Sequence, residues 1–187
     1  IDVKDEILSG KIETLEQLGI LNGYDDATYR PAEDVTRGEF AVYASQLFNI
    51  KPLEGENYFS DVDGNAEYAG YVNALADNGM ISIASDKFYP ENNITYAEAV
   101  KVILAGMGYT PACEIQGGFP EGYIKMASRI GLGNATISNL TRKDMAVLFY
   151  NTLLTGVMEF SGLSGSEADY KVSDTLMMKE FHGLVQK

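Results

Sequence analysis

An internal repeat constrains the fold of this chain more than any other feature of its sequence. A helix-like phrase that ends in Gly and an apolar residue occurs three times, with Gly19, Gly79 and Gly131 at equivalent places. Each copy continues with a polar loop and a second helical phrase, which reads VTRGEFAVYASQLF, ITYAEAVKVILAGM or LTRKDMAVLFYNTLL. One helix pair of this size cannot bury its apolar face alone, so we expect the copies to pack around a shared core.

The second phrase begins with the same helix-capping pattern in every copy. A Thr is followed three residues later by an acid, and the pairs are Thr36 and Glu39, Thr95 and Glu98, and Thr141 and Asp144. In such a capping box the Thr hydroxyl accepts from the backbone N–H three residues on, and the acid accepts from the Thr N–H. We therefore give these six residues a structural role and expect a helix to start after each Thr.

Apolar residues recur at spacings of three and four in these phrases, as on a helix with one buried face. The predicted fold class is all-α, with loops between the helices. The copies span residues 1–50, 59–109 and a shortened 118–155, with Pro- and Gly-containing linkers near 51–58 and 110–118. Residues 156–187 match no copy and begin with a Gly- and Ser-rich stretch. We expect them to be a tail or the lead into another domain.

Composition narrows the classes of partner. The 187 residues include 27 acidic and 14 basic side chains, and the net charge of −13 has the wrong sign for a general nucleic-acid binder. Cys113 and His182 are each the single residue of their type, which disfavours a metal cluster and histidine-centred catalysis. The apolar runs are far shorter than the ~18 residues that cross a bilayer. We therefore expect no nucleic acid, membrane, metal or other cofactor.

The phrases FSDV, LGILNGYDDATYRP and VTRGEF together resemble the S-layer homology repeat of bacterial surface proteins. The resemblance covers most of the chain up to residue 155, and three tandem copies are usual in that family. It implies a pseudo-threefold bundle with binding grooves between the copies. It also implies a secreted protein of the bacterial cell surface, anchored non-covalently to an anionic secondary cell-wall polysaccharide that often carries pyruvate ketals.

The same resemblance implies two cationic site residues. The family's sugar-binding Arg maps onto Arg37 and Arg142, whereas the second copy has Tyr96 at that place. Each Arg follows the Thr of a capping box, where the free N–H groups of a helix N-terminus favour anions. A guanidinium can also grip a carboxylate with two parallel hydrogen bonds. The alternative from the residues alone is that each Arg pairs with a neighbouring acid.

Neutral groups complete the candidate polysaccharide site. Family members commonly have Trp in the first helix; this chain has none, and Tyr68 lies near that place in the second copy. Gly23 and Tyr24, from the loop NGYDDATYRP, are expected to orient a sugar ring. The same loop offers oxygens to calcium at Asp25 and Asp26 but lacks the EF-hand ligand spacing, so a turn is the favoured interpretation.

Two other classes of function stay open. Degenerate copies could act as a structural module that packs against another protein of the surface layer, because the second copy has lost its Arg. An enzyme acting on polysaccharide would need opposed carboxylates, and Asp61 and Asp63, two residues apart, give no evidence of that geometry. We expect a binding module that is not an enzyme.

Overall fold

The computed structural model describes residues 2–134, 136–164 and 167–183. This part of the chain contains eight helices and one antiparallel pair of strands. In chain order the elements are α1 (Glu6–Gln17), α2 (Arg37–Leu47), α3 (Ala69–Asp77), α4 (Tyr96–Gly106), α5 (Thr110–Ile115), α6 (Glu121–Arg129), α7 (Arg142–Leu153), β1 (Gly156–Ser164), β2 (Glu167–Leu176) and α8 (Met177–His182). None of the helices within the described ranges is long and apolar enough to cross a membrane.

The helix boundaries follow the local signals of the sequence. α2, α4 and α7 begin directly after Thr36, Thr95 and Thr141, and both hydrogen bonds of the capping box are present in each case. Gly19 lies just past the end of α1 with φ of +69°, a backbone conformation that suits a residue without Cβ. The predicted helix starts are therefore confirmed.

The copies interlock in a circle. The first helix of each copy packs against the second helix of a neighbouring copy: α1 against α7, α3 against α2, and α6 against α4. The contact between α1 and α7 closes the circle between the first and third copies. In the shared core, Phe40 of α2 meets Phe149 of α7 edge-on, with 5.8 Å between ring centroids. Each copy therefore depends on its neighbours to bury its apolar face.

Three equivalent backbone segments meet at the centre of the circle. Val35 donates to the carbonyl of Leu140 at 2.9 Å, Leu140 donates to Ile94 at 2.8 Å, and Ile94 donates to Val35 at 2.9 Å. All three residues are buried, and each immediately precedes a capping Thr. This closed ring of hydrogen bonds gives the bundle its pseudo-threefold axis and satisfies backbone groups that burial has removed from water.

A polar cluster covers one end of this ring. Asp34, Asn93 and Asn139 are the residues that precede the ring in the three copies. The Asp34 carboxylate accepts from the side-chain amides of Asn93 and Asn139, at 2.8 and 2.6 Å. Because one copy supplies an acceptor and the other two supply donors, the three equivalent side chains complement one another.

In each of the first two copies, a carboxylate near the start of the copy binds the backbone of the long loop. Asp61 accepts from the backbone N–H groups of Phe88 and Tyr89, both at 2.8 Å. Asp2 accepts in the same way from the N–H groups of residues 29 and 30, at 2.7 and 2.9 Å. The Asp-Val pair at residues 2 and 3 is therefore the first copy's counterpart of the Asp-Val pair in FSDV. This equivalence was not among the sequence-based predictions.

The second linker differs from its predicted form because it contains a helix. α5 occupies most of the stretch that its Pro and Gly residues marked as a copy boundary. Pro111 lies in the first turn of α5, where Pro is tolerated because the helix needs no N–H donor there. Cys113, two residues further on, is buried in the core. Pro111 therefore marks the start of a helix. Pro is common both in linkers and in the first turn of helices, so its presence alone does not distinguish the two.

The C-terminal segment is folded against the bundle, although the sequence predicted a tail or the lead into another domain. β1 and β2 form a hairpin, and α8 follows it. Met158 donates to the carbonyl of Met107 at 2.9 Å, and Phe181 packs edge-on against Phe48, with ring centroids 5.3 Å apart. The all-α prediction describes the three copies and misses this hairpin, because Gly and Ser indicate loops when read locally. Residues 165, 166 and 184–187 of the segment lie outside the described residues.

Candidate functional site

The predicted site residues lie at the three boundaries between copies, here termed grooves. Arg37 lies where α2 meets the loop of the second copy, and Tyr96 lies where α4 meets the loop of the third. Arg142 lies where α7 meets the loop of the first copy, which also holds Gly23 and Tyr24. The interlocked circle therefore keeps the two arginines apart, each in its own groove.

The helix N-termini in these grooves are not open to a ligand. The backbone N–H of Arg37 donates to the carbonyl of Asn92, and that of Gly38 donates to Pro90, both at 2.9 Å. The first two residues of α4 and α7 make the same pair of bonds to the loop of the next copy. The expectation that free N–H groups would attract the anion is wrong, because carbonyl groups of a neighbouring copy already accept from them.

Arg142 is buried between the third and first copies, with 4 % of its surface exposed. Its Nε donates to the carbonyl of Tyr29 at 2.7 Å, and NH2 donates to that of Asn22 at 2.8 Å. The ring centroid of Tyr24 lies 4.7 Å from Cζ, and the Tyr43 hydroxyl lies 3.4 Å from NH1. In the described part of the chain Arg142 makes no ion pair. Carbonyl dipoles and aromatic faces therefore stabilise this cation.

The loop beside Arg142 is held as a turn. Asp26 accepts from the backbone N–H of Thr28 at 3.0 Å and from its hydroxyl at 2.5 Å, and it pairs with Arg30 at 3.0 Å. These bonds to Thr28 and Arg30 lower the pKa of Asp26 to about 2. The ring centroid of Tyr24 lies 3.8 Å from Cζ of Arg30. Asp26 thus stabilises the turn, and the turn interpretation of this loop is confirmed.

Arg37 lines an open cleft between the first and second copies. Its Nε donates to the carbonyl of Phe88 at 2.8 Å, and NH1 pairs with Oε1 of Glu98 at 2.9 Å. The Arg37 side chain is 22 % exposed and that of Glu98 is 37 % exposed. The alternative in which an Arg pairs with a neighbouring acid therefore applies to Arg37 and, within the described residues, not to Arg142.

The cleft has a volume of about 170 Å³ and carries positive charge. Lys87 and Lys101 line it together with Arg37, and Glu98 is the carboxylate among the described lining residues. Its net charge is +2, in a chain whose net charge is −13. Phe119 of the third copy forms part of the wall, and its ring centroid lies 5.1 Å from Nζ of Lys101. An anion would meet complementary charge and an aromatic face here.

The two other predicted tyrosines lie apart from this cleft. Burial, together with the charge of Asp144, raises the pKa of Tyr96 to about 12, so its phenol is neutral at pH 7. Tyr96 packs closely on Gly133, where a Cβ would lie 2.7 Å from the hydroxyl. Tyr68 packs on Gly38 in the same manner, with a Cβ 2.7 Å from its ring, and is not among the cleft-lining residues.

Several residues of the cleft were not among the sequence-based candidates. Lys101 follows Glu98 by three residues and so shares its face of α4, which is a signal the sequence contains. Phe119 reaches the cleft from the third copy, and no local pattern indicates that placement. Glu98 has a second role beside capping, because Oε2 accepts from Thr95 N–H while Oε1 pairs with Arg37.

Comparison with known proteins agrees with the repeat. Residues 5–41 and 58–100 match the family model described as the S-layer homology domain. The chain is 31 % identical over 163 residues to the "Middle cell wall protein" of Brevibacillus brevis, which covers 83 % of this chain. It is 27 % identical over 154 residues to the "Surface layer protein" of Brevibacillus choshinensis, covering 80 % of this chain. It is 32 % identical over 103 residues to "Exoglucanase XynX" of Acetivibrio thermocellus, covering 55 %.

The chain therefore belongs to the S-layer homology domain family, and the resemblance of its repeat phrases to that family is confirmed. It is a module of secreted, cell-surface proteins that serves in surface anchoring. The chain spans 15, 14 and 10 % of the lengths of these three relatives, so each match covers a small part of a much larger protein.

Proposed function

We propose that this chain anchors a cell-surface protein non-covalently to an anionic secondary cell-wall polysaccharide, and that the cleft lined by Arg37 is its principal binding site. The observation that carries the proposal is the reversed sign of charge, since three cations and one carboxylate line the cleft of a strongly acidic chain. At long range this chain repels an acidic polymer. Recognition therefore has to act over a few ångströms, inside a cleft.

The ligand we propose is a sugar unit that bears a pyruvate ketal. Its carboxylate would accept hydrogen bonds from the cations, and its methyl group and ring would pack on the exposed ring of Phe119. Arg37 has donors to spare, because a guanidinium carries five N–H groups and only two of the bonds described above use them. The cleft is smaller than the roughly 300–1,000 Å³ of pockets that enclose a drug-sized ligand, which fits recognition of one unit within a polymer.

We propose a secondary role for the groove of Arg142. There the guanidinium holds the loop that presents Gly23 and the half-exposed Tyr24 to a ligand. Tyr68, which is half-exposed, is the stacking candidate at the first boundary. The groove of Tyr96 is the weakest of the three, because a neutral phenol supplies no charge to an acidic ligand.

A structural module that contacts another surface-layer protein is the second candidate. The ion pair between Arg37 and Glu98 favours it, because the motif's Arg is already compensated from within the chain. We propose no catalytic role, since Asp61, one of the two acids considered for catalysis, is bound to two backbone N–H groups. Relatives that are named as enzymes match this chain over about a tenth of their length.

Co-sedimentation with purified cell-wall sacculi tests the proposal. Intact sacculi should pellet the chain, and sacculi stripped of their secondary polysaccharide should leave it in the supernatant. Equal pelleting with both preparations would reject polysaccharide recognition and favour another wall component as the partner. An assay for released reducing sugar in the same supernatants should detect no turnover.

A further inference from the structure

Within the cleft, the charge of Arg37 is already compensated. Its NH1 lies 2.9 Å from Oε1 of Glu98, and the other carboxylate oxygen accepts from the N–H of Thr95 at 2.9 Å and from its hydroxyl at 2.7 Å. These bonds belong to the cap of α4, so Glu98 cannot turn away from Arg37 without weakening the start of that helix. A ligand carboxylate approaching Arg37 therefore meets the negative charge of Glu98 beside it.

Lys101 is placed to act as the uncompensated cation of the same cleft. It lies one helical turn after Glu98 on α4, and it lines the cleft beside Arg37. The side chain is half-buried, and its Nζ stands over the ring of Phe119. Among the described residues Lys101 forms no ion pair. Lys87 also lines the cleft, but it is exposed to solvent, which screens its charge.

We propose that Lys101 is the specificity-determining residue that gives this cleft its preference for an acidic ligand over a neutral one. Arg37 then contributes hydrogen bonds and holds Glu98 and the Phe88 carbonyl in place. The attraction of Arg37 for an anion is offset by the repulsion from Glu98 at a similar distance, whereas the attraction of Lys101 is not offset. This inference rests on the proposed function, which supplies a sugar carboxylate as the ligand.

Three variants of the chain test the inference. Lys101→Gln removes the free cation and keeps a side chain of similar length that suits a helix. Lys125→Gln, an exposed lysine of α6 outside the cleft lining, is the matched control. The double variant Arg37→Gln, Glu98→Gln removes both members of the ion pair without changing the net charge. Gln can take the place of Glu in a capping box, so α4 should keep its cap.

The probes are a methyl hexopyranoside that carries a pyruvate ketal, and the methyl ester of the same compound as its neutral counterpart. Titration calorimetry measures the ratio of the two affinities. The unchanged chain and Lys125→Gln should prefer the acid, and Lys101→Gln should bind the acid about tenfold more weakly while its affinity for the ester is unchanged. The double variant should bind both probes more weakly and keep its preference for the acid.

The role of Lys101 is overturned if Lys101→Gln still prefers the acid. It is also overturned if the double variant loses that preference. An unchanged chain that binds both probes equally would overturn it as well. Pelleting of the unchanged chain with intact sacculi decides the proposed function separately. Thermal unfolding of each variant checks that a lost preference is not a lost fold.

Discussion

The guanidinium of Arg37 lies 2.9 Å from the carboxylate of Glu98, a residue of the next copy. Arg142 stands at the equivalent place in the third copy, and its NH1 instead faces the hydroxyl of Tyr43 at 3.4 Å. The repeat motif makes the two arginines look alike, but their surroundings do not. Arg37 is an accessible member of a charged cleft, whereas Arg142 is a buried cation that joins α7 to the loop of the first copy.

Replacing Arg142 should chiefly lower the stability of the fold. Arg142→Ala removes the charged donor from the carbonyl groups of Tyr29 and Asn22, and we expect the free energy of unfolding to fall by about 3 kcal/mol. Urea denaturation measures this loss. Lys143→Ala, an exposed residue of the same helix, should change the free energy by less than about 0.5 kcal/mol. Similar effects of the two substitutions would contradict the structural role of Arg142.

The polar cluster at the pseudo-threefold axis should contribute to stability through its single acid. Asp34→Asn places three amides together and replaces the charged acceptor shared by Asn93 and Asn139 with a neutral amide oxygen, which is a weaker acceptor, so we expect a loss of about 1 kcal/mol. Urea denaturation again gives the value. The control is Asp25→Asn, which makes the same charge change in an exposed loop. A variant of Asp34 as stable as its control would show that the cluster adds nothing.

Acid should weaken the attachment of the loop that Asp61 holds. Burial alone would raise the pKa of Asp61, but hydrogen bonds from the Phe88 and Tyr89 N–H groups outweigh it, and the pKa is lowered. A carboxyl whose pKa is lower in the folded chain than in the unfolded chain stabilises the fold. This contribution is complete at a pH above the pKa of the unfolded chain, about 4, and it is lost as the pH falls through the pKa of the folded chain. The stability of the unchanged chain should therefore drop below about pH 4.

Asp61→Asn provides the comparison for this acid effect. It should be less stable than the unchanged chain at pH 7, and the gap should narrow as the pH falls from 5 towards roughly 3, because the unchanged chain loses the charged acceptor there. Urea unfolding at each pH measures the gap. Asp174→Asn, an exposed position on β2, should show no such convergence. A gap that stays constant with pH would rule out the charged form of Asp61 as its cause.

The C-terminal hairpin and α8 should act as part of the bundle. Phe181→Ala removes the edge-on contact with Phe48, and we expect the free energy of unfolding to fall by about 2 kcal/mol in a single transition. Lys179→Ala, on an exposed position of the same helix, is the control. Circular dichroism and tyrosine fluorescence should report coincident transitions. Two separated transitions would mean that this segment unfolds independently of the three copies.

The parts of the fold that the sequence predicts are those encoded locally. A Thr with an acid three residues on, or a Gly after an apolar helix, indicates a helix end whatever surrounds it. The exchange of helices between copies and the ring of Val35, Ile94 and Leu140 depend on residues far apart in the chain, and no periodicity indicates them. The hairpin was missed for a related reason, because packing against the bundle stabilises strands whose composition is typical of loops.

The candidate site also has a part that the local motif predicts and a part that depends on other copies. The motif placed Arg37 at a boundary between copies, but the charge around it depends on Glu98 of the second copy and on Phe119 of the third. The helix N-termini were expected to be free because the sequence of one copy does not show that a neighbouring loop covers them. Interlocking therefore determines which of the motif's groups remain available to a ligand.

Binding to intact cell-wall sacculi by the variant Arg37→Ala tests the central claim most directly. The variant loses the donors of Arg37 and leaves the carboxylate of Glu98 facing an acidic ligand. We expect the dissociation constant to rise by about ten- to a hundredfold in a co-sedimentation isotherm, with the fold retained. Lys143→Ala, outside the cleft, should bind as the unchanged chain does. If Arg37→Ala binds the sacculi as tightly as the unchanged chain, the cleft is not the anchoring site.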